Sequence, residues 1–222
     1  MKKHIIILLT SVLVLCSCGT SKFFAGDAAS IQPIALIEPY SYITDAVMYF
    51  STEYQKDVSI MNQTLVKEAV SSLYLPVQTI VPYEFNPADN TLPITRWMRS
   101  LSSMGSETAS RLSVPVELRD AVTETGCRYV MVLMDVGFVK NADQYTLESV
   151  VSGALTILDY LLNDEVSVSY TQSHENGLYS LIWDNETGRV VWYGNRTKSN
   201  NVHPLKHQDI LRQVEKLYDD FL

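Results

Sequence analysis

The chain is 222 residues long, with a formal net charge of −8, 46 % hydrophobic residues and 13 tyrosines. That content supplies a packed core for one domain of ordinary size and is not the composition of a disordered chain. The acidic balance argues against nucleic acid as a partner and against electrostatic docking on anionic lipid.

At the amino terminus, Lys2 and Lys3 precede an apolar run from Ile5 to Leu15. A basic start, about ten apolar residues and a small-residue cleavage site make a secretory signal peptide. The run is too short for a transmembrane helix, which needs roughly 20 apolar residues. The following Leu15-Cys16-Ser17-Cys18 resembles the lipobox of bacterial lipoproteins. That resemblance implies cleavage before Cys18, a diacylglyceryl thioether on its sulfur and acylation of the new amino terminus. Cys16 does not fit as the acceptor, because Leu15 is too bulky for the position before the cut. The alternative is an ordinary signal peptide in which Cys18 is incidental. Each buried methylene contributes about 0.8 kcal/mol, so two or more acyl chains hold a protein on the membrane without help from its folded part.

Removal of the signal takes Lys2 and Lys3, leaving 15 basic residues against 25 acidic ones, a charge near −10. Of three cysteines, Cys16 leaves with the signal and Cys18 carries lipid, so only Cys127 remains free. An intramolecular disulfide is excluded although the compartment would permit one.

Gly19 to Ile31 is small and polar and reads as a flexible tether over 18–31, followed by a single domain over 32–222. Ile34 to Ile37 is a short buried strand closed by Pro39. Tyr40 to Asp57 fits neither the helical nor the strand period. Met61, Leu65, Ala69 and Leu73 step by four, with Val66 and Val70 alongside, and predict a helix from Ile60 to Leu73 capped by Ser59. Val77 to Pro82 is a second strand, and Asn86 to Asn90 a loop. Ile94, Trp97, Met98 and Leu101 mark a helix broken near Gly105. Another runs from Val116 to Thr125 between Pro115 and Gly126. Tyr129 to Val136 is apolar on both faces, as a central strand covered on two sides must be.

Leu147 to Leu162 is helical by spacing and too short to span, so it reads as buried or partner-facing. Val166 to Tyr170 alternates as a half-buried strand. Leu178 to Trp183 and Arg189 to Tyr193 flank Asp184-Asn185-Glu186-Thr187-Gly188, a hairpin with glycine where a left-handed residue is needed. Trp183 and Trp192 are expected to pack across that turn on one face. A last helix after Pro204 carries Ile210, Leu211, Val214, Leu217 and Phe221 on one side. The order predicts an α/β sandwich: a mixed sheet with flanking helices and an antiparallel meander near the C-terminus.

Three segments together are similar to a known group: Pro33-Ile34-Ala35-Leu36-Ile37-Glu38-Pro39, the Thr125-Gly126-Cys127-Arg128-Tyr129-Val130 strand entry, and Trp183-Asp184 through Thr187-Gly188 to Val190-Val191-Trp192-Tyr193-Gly194. They resemble bacterial envelope lipoproteins that share the amino-terminal domain fold of TolB. The group includes the curli-secretion lipoprotein CsgG, the penicillin-binding-protein activator LpoB and a lipoprotein family known from Neisseria. The resemblance covers roughly residues 34 to 222, and the helix at Leu147 departs from the compact members. It implies an accessory or assembly role without catalysis. The membrane hairpins of the channel-forming member have no match here, since no segment alternates apolar and polar over about ten residues twice at the right place.

Residues capable of chemistry do not form a converging set. No Gly-x-Ser-x-Gly elbow exists, and the mature chain's glycines are isolated rather than clustered for phosphate. Cys127 reads as a small core residue. His203, His207 and Asp209 make a weak metal set, with His203 better explained as a loop or capping residue. Asp219-Asp220 and Asp164-Glu165 read as solvated element ends. Asp135, inside an apolar strand, reads as a hydrogen-bonded core carboxylate or the strand's exposed end before it reads as functional. No catalytic, cofactor or metal site is therefore assigned, and Cys18 is the one site residue, for lipidation. The expectation is a non-catalytic lipid-anchored adaptor or assembly factor. It would sit on the periplasmic face of the outer membrane, because no acidic export run follows Cys18 and Gly19 replaces the retention aspartate of enteric sorting. Its partner would be an envelope protein, with no cofactor and no nucleic acid. The alternative is an oligomeric secretion or pore component, so a homo-oligomer stays open.

Overall fold

The computed structural model describes residues 20–25, 27–47, 51–139, 174–196, 202–219 and 221. Cys18, the helix expected at Leu147 to Leu162 and the strand expected at Val166 to Tyr170 lie outside the described residues. In chain order the elements are β1 (Thr20–Phe24), β2 (Ile34–Ile37), β3 (Tyr40–Val47), β4 (Ser51–Tyr54), α1 (Lys56–Ser72), β5 (Val77–Val81), α2 (Pro93–Leu101), α3 (Ser106–Ala109), α4 (Val116–Ala121), β6 (Tyr129–Val139), β7 (His174–Asp184), β8 (Arg189–Arg196) and α5 (His207–Leu217).

All eight described strands join one mixed sheet in the order β1-β8-β7-β6-β2-β5. β6 is its axis. On one side it pairs antiparallel with β7 along its whole length, Tyr129 opposite Asp184 and Val139 opposite His174. On the other side its first residues pair parallel with β2 and its later ones parallel with β3. β2 and β3 are thus two parts of one line, interrupted at Glu38 and Pro39, where proline offers no donor to a ladder. β3 folds back on β4, and β6, β7, β8 and β1 form an antiparallel meander.

The pleat of β6 divides the core. Val130, Val132 and Met134 face a cluster with Met98 and Leu101 of α2, Ala109 of α3 and Leu118 of α4. Met131 and Leu133 face the other way, against Val66, Ala69 and Val70 of α1 and Ile210, Val214 and Leu217 of α5. This α/β sandwich is the predicted fold class. No described helix is long and apolar enough to cross a membrane.

Several expectations need correction. Part of the segment read as a tether is β1, paired with β8 from Thr20 opposite Arg196 to Phe24 opposite Trp192. Its small polar composition hid two aromatic residues with opposite destinations, Phe23 in the α2–α4 cluster and Phe24 in the α1–α5 cluster. The unassigned stretch 40–57 contains β3 and β4, whose residues alternate only locally because β4 is a short edge strand. α1 begins at Lys56 rather than Ile60, and Ser59 is not its cap: within the helix, its Oγ accepts from the Ile43 amide at 3.0 Å. The buried stripe of α1 is Ser59, Asn62, Val66, Ala69 and Val70, while Met61 is 56 % exposed. The stripe is rotated because a polar residue, Asn62, occupies it.

The hairpin is present, with Gly188 at φ +67° and its amide donating to the Asp184 carbonyl at 2.8 Å. The two tryptophans do not share a face. Trp183 lies opposite Val190, but Ile182 lies opposite Trp192, so a bulge at Val191 turns Trp192 to the other side of the sheet. In unbroken register Trp192 would lie opposite Leu181, and the two would be a diagonal pair on one face. Instead Trp183 packs in the α2–α4 cluster and Trp192 stacks on Tyr218 at 5.3 Å.

Candidate functional site

Two groups of side chains stand out, one closed and one open. The closed group surrounds Asp135, which is 0 % exposed. β6 points it at the layer of α1 and α5, where the core is otherwise aliphatic. Its Oδ2 accepts from Asn62 Nδ2 of α1 and from Asn176 Nδ2 of β7, each at 2.9 Å. Asn62 also donates to the Pro204 carbonyl at 2.8 Å and accepts from Ser41 Oγ of β3 at 2.6 Å. Asn176 donates to Gln213 Oε1 of α5 at 3.0 Å, and Gln213 Nε2 donates back to the Asn176 carbonyl at 3.1 Å.

Elements from across this layer therefore meet at one carboxyl. Asp135 Oδ1 and Asn176 Oδ1 are buried with no hydrogen-bond partner among the described residues. Burial raises the Asp135 pKa to about 7, against the two amide donors that favour the anion. Nearby, the Tyr218 hydroxyl donates to Ser180 Oγ at 2.7 Å, and Ser180 donates to the Val132 carbonyl at 2.8 Å. Asp135 is thus a hydrogen-bonded core carboxylate, one of the two bland readings of the sequence.

The open group is a cleft of about 890 Å³ beside the start of α1. β2 and β5 are parallel and both end here, with the Glu38 amide donating to the Val81 carbonyl at 2.9 Å. The carboxyl ends of parallel strands are where open α/β sheets leave crevices. Pro39, Tyr54, Ile60, Tyr83, Phe85 and Pro87 supply much of the wall. Phe85 meets the edge of Tyr40 at 5.3 Å and tilts against Tyr83 at 4.6 Å. Gln63 Nε2 holds the Pro39 carbonyl at 2.8 Å, and Lys67 pairs with Glu38 at 2.7 Å.

Behind the wall, Tyr42 and Tyr54 stack at 5.3 Å. The Arg99 guanidinium lies 4.0 Å from the centre of the Tyr42 ring and donates to the Pro87 carbonyl at 2.9 Å. Burial raises the pKa values of the Tyr54 and Tyr83 hydroxyls, so both are neutral donors at physiological pH. An aromatic and proline wall with amide, hydroxyl and charged groups at its rim is suited to binding an extended ligand.

The residues singled out from the sequence are scattered. Cys127 is buried, its thiol 3.8 Å from Gln78 Oε1. His203 Nδ1 accepts from the Leu205 amide at 3.1 Å, and Asp209 Oδ2 accepts from the His203 amide at 3.3 Å, so this segment caps the approach to α5. His207 is the exposed first residue of α5. Among the described residues no group of three His, Cys, Asp or Glu is placed to hold a metal. Asp219 is exposed and paired with Lys22 of β1. Asp220, Asp164 and Glu165 lie outside the described residues. The sequence alone does not show the cleft, because it draws on the stretch around Tyr54, which fits neither period, and on Asn86 to Ala88 of a loop. Its one linear signal is Tyr83 and Phe85 between Pro82 and Pro87.

No protein-family model matches the sequence, and no curated protein matches it. Among solved structures, the PelC dodecamer from Paraburkholderia phytofirmans is 10 % identical, with a TM-score of 0.41 over 91 % of this chain and 96 % of that one. A point variant of the same protein, also a dodecamer, is 10 % identical with a TM-score of 0.41 over 91 % of this chain and 98 % of that one.

Proposed function

We propose that this protein is a non-catalytic adaptor or assembly factor of the bacterial envelope. Lipid on Cys18 holds it at the periplasmic face of the outer membrane, and the cleft beside α1 binds a protein partner. The observation that carries this reading is the cleft itself. Its wall is aromatic and proline-rich, its rim polar, and the described residues lining it include no cysteine or histidine to serve as nucleophile or base. Asp135, the most perturbed carboxyl among the described residues, is instead enclosed in the core. The lipobox and the resemblance to TolB-like lipoproteins support the location and the accessory role.

Two measurements test the two halves. Radiolabelled palmitate should enter the native chain and not Cys18→Ser; label retained by the variant removes the anchor. A photo-crosslinking amino acid at Tyr83, in the lipidated protein in cells, should give one discrete protein adduct that Phe85→Ala weakens. Adducts from Val116, 61 % exposed on α4, with none from position 83 would place the partner elsewhere.

A further inference from the structure

Resting on the cleft as the partner's site, we propose that the partner enters it as an extended strand. Its backbone pairs with Tyr83 and Phe85 on one side and with Ser41 of β3 on the other. The last rung between β2 and β5 is the Glu38 amide on the Val81 carbonyl. Beyond it the two lines part. Arg99 ties them again further on, spanning the Tyr42 ring and the Pro87 carbonyl. From rung to tie, one line runs from residue 38 to 42 and the other from 81 to 87. The longer line bows outward, and the cleft is the gap it leaves.

Backbone groups face this gap from both sides. Pro82 to Ala88 alternates between exposed and half-buried, as an extended strand does. Period 2 from Val81 turns the N–H and C=O of Tyr83 and Phe85 toward β3. Neither residue makes a backbone hydrogen bond among the described residues. From Asn86 onward the chain is tied down, the Asn86 carbonyl accepting from Thr95 Oγ1 at 3.1 Å. On the facing side, Gln63 caps the Pro39 carbonyl, and Ile43 is satisfied by Ser59 and Gln55. Ser41, between them, turns its N–H and C=O the same way, and β4 begins to pair with β3 only at Thr44. Two facing rows of open ladder groups are what an added strand satisfies. The rings of Tyr40, Tyr83 and Phe85 floor the gap and take every second side chain of the insert. Those between meet Ile60, 49 % exposed, and the oppositely charged rim residues Lys56 and Glu84. The segment that fits alternates apolar and polar residues and carries little net charge. The outer edge of the same line suits a strand less: it bears Pro82, which has no amide, and the exposed charge of Glu84, both of which deter pairing.

In the full-length protein in cells, a benzoylphenylalanine crosslinker replaces Tyr83 or, separately, Phe85, and the captured residues are mapped by mass spectrometry. No discrete adduct from position 83 overturns the cleft as the partner's site and this inference with it. Where adducts form, the two positions should capture residues about two apart in one continuous segment, the spacing of a paired strand. Captured residues about three or four apart, the spacing of a helix face, or on separate segments overturn the strand and leave the cleft reading standing. Proline isolates the backbone, since it removes an amide that alanine keeps. With the crosslinker at position 83, Phe85→Pro should lower the adduct roughly fivefold below Phe85→Ala, the scale of one hydrogen bond. Glu84→Pro, whose lost amide points away from the gap, should match Glu84→Ala. Melting midpoints of the purified variants are compared first. A proline variant that melts below its alanine counterpart is set aside, because the mapped spacing decides without it. Equal adducts from Phe85→Pro and Phe85→Ala overturn the pairing. A loss confined to Glu84→Pro moves the strand to the outer edge, which also overturns it.

Discussion

Asp135 concentrates the consequences of a single buried charge. In the unfolded chain its carboxyl titrates near 3.8, and in the fold near 7. Between those values the native state keeps a proton that the unfolded chain gives up. Its contribution to stability therefore falls as pH rises through that window and levels off above about 7. Asp135→Asn places an NH₂ among the same partners and removes the titration. Relative to wild type, the variant should gain stability steadily from pH 5 to pH 7 in denaturant titrations of a Cys18-lacking soluble form. A difference that does not change with pH would refute the perturbed carboxyl. Asp135→Leu should be worse at every pH, because one N–H each of Asn62 and Asn176 loses its acceptor while the other keeps Pro204 or Gln213, at about 1–3 kcal/mol for each unsatisfied N–H.

Gly188 gives a second contrast at this scale. A β-carbon there would meet the Arg119 guanidinium at 3.6 Å, an ordinary contact, so the obstacle is the φ of +67° and not space. Gly188→Val should cost about 1–2 kcal/mol where Glu186→Ala, on an exposed side chain, costs little. Equal thermal midpoints would mean the turn relaxes. Gly194 is the reverse case: a β-carbon would lie 2.6 Å from the Trp192 ring. Gly194→Ala should displace the indole from its stack on Tyr218, cost about 1–3 kcal/mol, and change the near-ultraviolet circular dichroism.

Among the elements, those with a strong internal period were legible: β2 and β6 from unbroken apolar runs, the β7–β8 hairpin from its turn residues, and α2 and α5 from their stripes. The failures have physical causes outside local sequence. β1 carries too few apolar residues to announce itself and is made a strand by the edge of β8. The buried stripe of α1 departs from its apolar spacing because Asn62 serves the carboxyl of Asp135, a partner 73 positions away. The opposed tryptophans depend on one extra residue at Val191, which no alternation rule supplies. The cleft needs β2, β3, β5 and α1 in place before its residues become neighbours. If β1 belongs to the fold, Phe24→Ala should lower the unfolding midpoint by the equivalent of about 1–3 kcal/mol, less than a fully buried phenylalanine because Phe24 is half-buried. An unchanged midpoint would return β1 to the status of a leader.

For the molecule as a whole, an excess of acidic residues and the acyl anchor we propose make a definite combination. Membrane attachment that depends on acyl chains is indifferent to ionic strength, whereas attachment through basic patches is screened within about 3 Å at 1 M salt. Washing membranes with 1 M salt should leave the protein in the pellet and detergent should release it; release by salt alone would point to a protein or headgroup contact as the true tie. The pairing of β1 with β8 also orders events during export. A chain exported as proposed enters the envelope amino terminus first, yet the strand that receives residues 20–24 is formed by residues 189–196. Until nearly the whole polypeptide has crossed, residues 20–24 have no ladder to join. Were Cys18 lipidated as proposed, the processing enzymes would meet it before β1 has a partner strand, and the sheet would close only after the lipid is in place.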